Sequence, residues 1–499
     1  LLQRWAEADP TRIAVVDAGR ADASLSYAEL DRRARSVAAM LADSGIEPGS
    51  RVALLTANGI GFVSAWFGTI YAGCATLPLP ASSTPREIGF RLDHAACRAI
   101  LVDADHAPTA AAGMEHAICN PTMLELGAAE EQRSDGAFPA EVQSDAYAML
   151  LYTSGTSGAP KCACMTHGSL GTHTQALVEE TLRLGGEDRV LGTLPLAHSY
   201  GIRATLLVPF WAGASTVIVP RFSPRRTLEV CREHGVTWIP GVPTMFRAWA
   251  EETTVPGPTS IRWCMSAGAP LAEDVRRAAQ RRLNAPVRQA YGLTEANLSA
   301  VNAPPDEAIP ESSGKPVAGV EIRIFSRSGV DVPPGTRGEV LVRGPNLMAG
   351  YLGDPLATDH VMRGGWLHTG DIGFLDSEGR VTIVDRSKDL ILRGGASIYP
   401  SEVESALTEH PNVLEVAVVG EADRYYGEEI VAVVVADSDV GAQALDAWVR
   451  ERLASYKLPR RYAFTADLPR SGSGKTLKRR LRAQLESGEL QTVKVEPDG

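Results

Sequence analysis

The pattern of apolar and polar positions changes character twice along the 499 residues. Through residues 1–150, apolar runs of strand length alternate with stretches whose apolar positions recur every three or four residues. Strands are predicted at 12–18, 51–57, 75–79 and 99–103, and helices at 26–44, 61–74 and 86–94. Ser26-Tyr27-Ala28-Glu29 has the spacing of a capping box, with Ser26 as N-cap and Glu29 at N3. A second block repeats the alternation, with strands at 189–194, 216–220, 238–242 and 262–267 and helices at 227–234, 244–252 and 273–283. Such alternation indicates α/β layers with much parallel pairing. From 319 to 384 short strands (321–325, 338–343, 380–384) are punctuated by Gly and Pro, which suits a small β-rich subdomain.

After Asp385-Arg386-Ser387-Lys388 the pattern resets. Ser401-Glu402-Val403-Glu404 has the spacing to cap a helix reaching about 409. Strands at 414–420 and 430–436 and a helix at 443–454 complete a small α+β domain. The expected fold class is therefore α/β. A large N-terminal body (1–387) carries the β-rich subdomain (about 319–384), and a small mobile α+β C-terminal domain (388–499) follows. The longest uncharged stretch, 52–85, is long enough to cross a bilayer. It is broken by Asn58, Gly59, Gly61, Gly68, Gly73 and Pro78, and reads as strand, turn, helix and strand. The stretch 204–220 is shorter and is broken by Pro209 and Gly213, so no membrane span is expected. The chain begins at Leu1 inside a helix-like pattern, without a signal-peptide pattern, and a missing native N-terminus is expected.

The net charge of −11 and a pI near 5.5 argue against a general nucleic-acid binder, which needs clustered Lys and Arg. Seven thinly spread cysteines without a C-x-x-C pair indicate neither a zinc ribbon nor a disulfide framework, so a cytoplasmic protein is expected. Monomer and homodimer are both open.

The sharpest chemical feature is Tyr152-Thr153-Ser154-Gly155-Thr156-Ser157-Gly158-Ala159-Pro160-Lys161, placed after the apolar run Ala148-Met149-Leu150-Leu151. Hydroxyls, glycines and one lysine after a strand make a nest suited to a polyphosphate. A flexible polar loop is the plain alternative. Ser471-Gly472-Ser473-Gly474-Lys475-Thr476 mimics a Walker A end, but Pro469 stands where that motif needs Gly. Gly155-Thr156-Ser157-Gly158-Ala159 fails the nucleophile elbow at its last position.

The loop resembles the phosphate loop of the adenylate-forming superfamily, which includes acyl-CoA synthetases, luciferases and peptide-synthetase adenylation domains. Further stretches match that family in order: Leu194-Pro195-Leu196-Ala197-His198, Ser266-Ala267-Gly268-Ala269-Pro270-Leu271, Ala290-Tyr291-Gly292-Leu293-Thr294-Glu295, 338–351, Trp366-Leu367-His368-Thr369-Gly370-Asp371, the hinge Asp385-Arg386-Ser387-Lys388-Asp389, and Gly474-Lys475. The resemblance implies two half-reactions. A carboxylate attacks the ATP α-phosphate to give an acyl-adenylate and pyrophosphate. A thiol, usually that of CoA, then takes the acyl group.

The resemblance also implies residue roles. Thr153, Ser154, Gly155, Thr156, Ser157, Gly158 and Lys161 would hold the β- and γ-phosphates, and Thr294 the α-phosphate. Glu295 would bind Mg2+. Gly268, Ala269, Pro270, Ala290, Tyr291 and Gly292 would wall the adenine. Asp371 and Arg386 would hold the ribose, and Lys475 would bridge carboxylate and α-phosphate. The small domain would turn about Lys388, so that Arg393, Gly394 and Gly395 line a pantetheine tunnel. His198 is either a structural residue or the gate to the second half-reaction.

The run 394–404 looks like the acyl-CoA synthetase version, and the stretch His198-Ser199-Tyr200-Gly201 lacks the Asp that meets an α-amino group in peptide-synthetase domains. An AMP-forming carboxylate–CoA ligase is thus expected. A ligase loading an acyl carrier protein or an amine shares every adenylation motif. A non-catalytic binder is disfavoured by the retained Lys475, Glu295 and Asp371. Lys478, Arg479, Arg480 and Arg482 form either a solvated helix face or a contact for CoA phosphates.

By similarity, Tyr200, Arg203, Ala204, Trp238, Met265, Ala267 and Leu298 line the acid pocket. Most are small or apolar, which suits an aryl or medium-chain acyl group. Arg203 breaks that pattern. It either snorkels or pairs with a surface carboxylate, or it meets a second polar or anionic group on the acid. Cys162 stands where the family usually has Gly, and Cys164 reads as a buried small hydrophobe.

Overall fold

The computed structural model describes residues 1–19, 23–127, 139–153, 160–306, 308–326, 328–386, 389–393, 396–437, 440–470 and 475–495. The chain forms two compact units. The first comprises Leu1–Ile322, Leu341–His368 and Gly379–Val381, and the second Arg323–Val340, Thr369–Glu378 and Thr382–Gly499. Compactness therefore does not follow a single cut at 387, because the chain passes between the units within the β-rich segment.

Among the described residues the first unit holds two large sheets. In the nine-stranded sheet the strands run in the order Lys315–Pro316, Asn297–Val301, Val287–Leu293, Trp263–Ser266, Trp238–Gly241, Arg189–Gly192, Ser215–Ile218, Ile13–Asp17 and Ala23–Ser26. The six strands from Val287–Leu293 to Ile13–Asp17 are parallel. Most of their residues are buried, on both faces, which is why they read as apolar runs rather than as alternation. The seven-stranded sheet has the order Gly350–Tyr351, Lys161–Thr166, Tyr147–Thr153, Ala75–Pro78, Arg51–Leu55, Ala99–Val102 and Thr122–Glu125.

The apolar stretch 52–85 folds as strand, helix Ile60–Tyr71 and strand. Nearly every side chain of that helix is buried, and it packs on helix Tyr27–Asp43. Among the described residues no helix is long and apolar enough to cross a membrane. The Phe210 ring meets Tyr27 at 5.5 Å and Phe67 at 5.1 Å, tying both helices to Val208–Ala212. Each such ring contributes about 2–3 kcal/mol through burial. The Ser26 capping box forms as expected: Ser26 N donates to Glu29 Oε2 at 2.7 Å, and Glu29 N donates to Ser26 Oγ at 3.3 Å.

The expected cap at Ser401 does not form. Helix Pro400–Thr408 begins at Pro400 with Tyr399 as N-cap. The Ser401 hydroxyl instead donates to the Val384 carbonyl at 2.7 Å, and its amide donates to Asp385 at 2.9 Å. Glu404 is likewise taken, accepting from Val418 N and pairing with Lys478. In the second unit a six-stranded sheet contains the long antiparallel pair Val413–Asp423 and Gly427–Ala436. The last predicted helix is shorter than expected and ends at Arg450.

Candidate active site

Parallel strands all end on one edge of their sheet, and ligands of open α/β sheets gather there. After Arg189–Gly192 the chain runs through Pro195 to His198, which is half-buried and precedes the turn Ser199–Ile202. After Trp263–Ser266 come Ala267, Gly268, Ala269 and Pro270. The Ala267 amide donates to Gly241 O at 3.1 Å, binding this segment to the end of the neighbouring strand. Gly268 has φ +92°, a backbone conformation that favours glycine. The Tyr200 hydroxyl donates to Met265 O at 3.0 Å, so the turn after His198 lies on the same edge. Ala204, Met265, Ala267 and Leu298 are all buried nearby in sequence or register.

Trp238 corrects the expected pocket. It opens its strand, opposite Val190 and Trp263, whereas Gly241 closes it. Three residues at about 3.3 Å each put it roughly 10 Å from the ligand edge. It is fully buried against Trp263, with ring centroids 5.7 Å apart.

Val287–Leu293 pairs antiparallel with Asn297–Val301, and Thr294 and Glu295 form the turn between them. Gly292 is required here, since a Cβ would sit 2.1 Å from Asn297 O. Ala290 and Tyr291 are buried, while Thr294 and Glu295 are partly exposed. The turn is held from outside by Asn346, which is fully buried. The Asn346 side-chain amide donates to Ala296 O and Ser299 Oγ, and the Asn346 carbonyl accepts from Asn297.

Thr153 and Lys161 face each other across the hairpin that bounds the phosphate-loop segment. Lys161 Nζ lies 5.0 Å from the centre of the Tyr351 ring. The Tyr351 hydroxyl donates to Glu295 Oε1 at 2.9 Å, and Met348 N donates to Glu295 O at 2.8 Å. Burial, and then the Glu295 charge, push the Tyr351 hydroxyl far above its ordinary range, so it remains a donor. Tyr351 thereby joins Lys161 on one sheet to Glu295 on the other. Sequence reasoning included its stretch among the motifs but gave it no role. The signal available was an aromatic hydroxyl at the end of that motif.

Ser154, Gly155, Thr156, Ser157, Gly158, Lys388, Gly394 and Gly395 lie outside the described residues. Cys162 sits in a regular antiparallel pair opposite Tyr152 and is buried in an apolar cluster, as is Cys164. Burial raises their thiols to about 12 and about 11, so neither is a nucleophile at neutral pH.

Arg203 does not snorkel. It is 3% exposed, on the π-helical turn Arg203–Leu207, and its Nε donates to Ser199 Oγ at 2.9 Å. Its Nη2 is buried without a partner. Burial lowers its pKa to about 9, which leaves it charged at neutral pH. Burial, then the Arg203 charge, hold His173 down at about 4. His173 Nε2 therefore carries the proton it shares with Leu298 O at 2.7 Å.

In the second unit, Asp371 is buried and its carboxylate lies 3.2 Å from Arg386 Nε. Arg393 is engaged rather than open, forking onto both Glu429 oxygens at 2.7 and 3.1 Å with the Tyr426 ring over its guanidinium. Lys475 is exposed and precedes Thr476, which bridges to Arg470. In the basic run, Lys478 pairs with Glu404 at 2.7 Å and Arg482 with Asp389 at 3.4 Å, while Arg479 and Arg480 are exposed.

The sequence profile of the AMP-binding enzyme family matches residues 2–352, and that of the AMP-binding enzyme C-terminal domain matches 402–475. A feruloyl-CoA synthase from Amycolatopsis is 37% identical over 97% of this chain and 98% of its own length. The structure of ATP-bound MatB from Rhodopseudomonas palustris superposes with a TM-score of 0.91 at 30% identity, covering 97% of this chain and 98% of that one. O-succinylbenzoate coenzyme A synthetase from Bacillus subtilis, in complex with ATP and magnesium ion, gives 0.86 at 32% identity, covering 97% and 98%.

Proposed function

Because the chain belongs to the AMP-binding enzyme family and is an ATP-dependent carboxylate–CoA ligase, we propose how its residues divide the two half-reactions and what acid they accept. The observation that carries the reading is the Lys161–Tyr351–Glu295 connection. It sets a cation at the base of the phosphate loop beside a carboxylate at the turn after the adenine-side strand.

The acid is ionised at neutral pH and needs no general base. Adenylation then depends on alignment and on neutralising phosphate charge. Thr153 and Lys161 take the β- and γ-phosphates together with the loop 154–158, and Thr294 takes the α-phosphate. Gly268, Ala269, Pro270, Ala290, Tyr291 and Gly292 wall the adenine. Asp371 accepts from the ribose hydroxyls, with Arg386 holding its carboxylate in place. Lys475 bridges the acid and the α-phosphate, delivered by a C-terminal domain that begins at Lys388. His198 gates the second half-reaction, and 393–395 receive the pantetheine.

Glu295 suits Mg2+. Among the described residues no group of three or more His, Cys, Asp or Glu gathers around a point. A Mg2+ ion at Glu295 would be completed by phosphate oxygens and water. When bound, Mg2+ supplies positive charge at the phosphate oxygens.

The relatives act on acids as different as ferulate and O-succinylbenzoate, so they define the reaction and leave the acid open. Tyr200, Ala204, Met265, Ala267 and Leu298 favour an aryl or medium-chain acyl group. All seven cysteines are unpaired thiols, which fits a cytoplasmic enzyme. Pyrophosphate release over an acid library, followed by product mass with CoA, a carrier protein or amines, tests this reading. It fails if no acid releases pyrophosphate, and CoA as acceptor fails if only a carrier protein or an amine is acylated.

A further inference from the structure

We propose that Arg203 is a specificity-determining residue that binds a second anionic group on the acid, a distal carboxylate or a similar oxyanion. This deepens the ligase reading and rests on it. A guanidinium with five donors is built to be paired. Among the described residues its one hydrogen bond runs from Nε to the Ser199 hydroxyl, and Nη2 is buried and unsatisfied. A buried charge without an anion is costly, and such charges are found paired. Among the described residues no carboxylate meets Arg203, and burial is the one influence on its ionisation. The neighbouring titratable group, His173, is neutral and gives its proton to Leu298 O.

Placement narrows what the missing anion is. Arg203 lies one helical turn beyond Ser199, on the segment whose Tyr200 is bonded to Met265 O at the ligand edge of the sheet. His173 fixes the other flank at Leu298, opposite Gly292 in the hairpin that carries Glu295. The segment of Arg203 is thus tied to the strand of Met265, and its charge acts on His173, which is bonded to the strand of Leu298. The segment also makes a π-helical turn there, a distortion common at functional sites. The two phosphate-side cations assigned to ATP, Lys161 and Lys475, lie outside this segment. A group on the acid, remote from the carboxylate being activated, is the anion this position can meet.

The test is pyrophosphate release with matched acids: butyrate against succinate, hexanoate against adipate, and cinnamate against 4-carboxycinnamate. The wild type is expected to prefer at least one doubly charged member over its partner in kcat/KM. Arg203→Met is expected to lose on the order of 100-fold on that acid and to keep or gain activity on the singly charged partner. Arg203→Lys should retain part of the preference. A wild type that uses every singly charged acid better than its matched diacid overturns the assignment. So does an Arg203→Met that lowers both members of a pair equally, which would place Arg203 on the activated carboxylate or in a structural role. Should Arg203→Met not fold, the wild-type panel alone decides. Pyrophosphate release with neither set would overturn the ligase reading itself, whereas release with monoacids alone overturns only the role of Arg203.

Discussion

Tyr351→Phe isolates the link between the phosphate loop and the proposed Mg2+ ligand. The substitution removes one atom, the hydroxyl that donates to Glu295 Oε1 at 2.9 Å. It keeps the ring beneath Lys161 Nζ. A hydrogen bond to a charged partner contributes about 1.5–3 kcal/mol. Glu295 is partly exposed, so water replaces the lost donor and the lower figure applies. About 1.5 kcal/mol corresponds to roughly 10-fold in rate. The loss should appear as a 10-fold fall in kcat/KM for ATP and a raised Mg2+ requirement, because the carboxylate is no longer aimed. Thermal stability should barely change. Tyr351→Ala also strips the ring from Lys161, and a cation–π contact of about 0.5–1 kcal/mol adds a further 2–5-fold. The assay is pyrophosphate release across a Mg2+ titration, with Tm measured in parallel. An unchanged Mg2+ dependence in Tyr351→Phe refutes the argument. A rate loss matched by a comparable loss of stability refutes it too, since Tyr351 would then be holding the fold rather than Glu295.

Further outcomes follow from the same geometry. Lys475→Ala should reduce adenylate formation by more than 100-fold with Tm unchanged, because Lys475 is exposed; unimpaired pyrophosphate release would reject its role. His198→Ala should spare pyrophosphate release and slow thioester formation, and equal losses in both half-reactions would count against a gate. Asn346→Ala removes the side-chain amide that donates to the Ala296 carbonyl and the Ser299 hydroxyl, at about 1–3 kcal/mol. It should lower both Tm and turnover, and an unchanged Tm would show that the turn needs no such brace. His173 takes up its proton near pH 6.5 in the unfolded chain and only near 4 in the folded one. Protons therefore favour unfolding across that window. Stability from this group is complete above pH 6.5 and falls by about 3 kcal/mol on approach to pH 4, and His173→Gln should flatten that slope in pH-dependent unfolding.

The parts that were legible in sequence are those whose local pattern and tertiary role agree. Helix Glu273–Leu283 starts with two acids, ends with two arginines and keeps one apolar stripe, so its limits are readable. Parallel strands announce themselves as apolar runs because both faces are covered. Ser401 failed as a cap because Val384 and Asp385, far along the chain pattern from any helix signal, offer its hydroxyl and amide better partners. Trp238 was read as opening its strand, as it does, and was also assigned to the acid pocket. A four-residue apolar run says nothing about which terminus meets a ligand, and only the direction of pairing with Trp263 and Val190 decides.

Charge was the least legible quantity, and the two lysines and two arginines given roles in the proposal show why. Lys161, Lys475, Arg386 and Arg203 are indistinguishable by sign, and a net charge of −11 predicts none of them. What separates them is the partner each has been given. Arg386 is exposed on one side and holds Asp371; Lys161 rests on an aromatic face; Arg203 is sealed in with a hydroxyl and a neutral imidazole. A cation that keeps water can serve any passing phosphate. A cation that has lost water and gained no anion has its affinity already stored in the desolvation it has undergone, and that affinity is realised by an anionic group that reaches it. The same desolvation makes the site selective: a neutral acyl tail brought there leaves Nη2 unpaired, so discrimination comes from the unmet donor as much as from the contact formed. The proposed specificity for the acid, and the part of the His173 pKa depression that adds to its burial, then trace to one buried charge. Arg203→Met should alter both together, raising the His173 pKa, visible as an imidazole titration by NMR, in the same variant that loses preference for the doubly charged acid. A His173 titration left unmoved would separate the two groups and remove His173 from the argument.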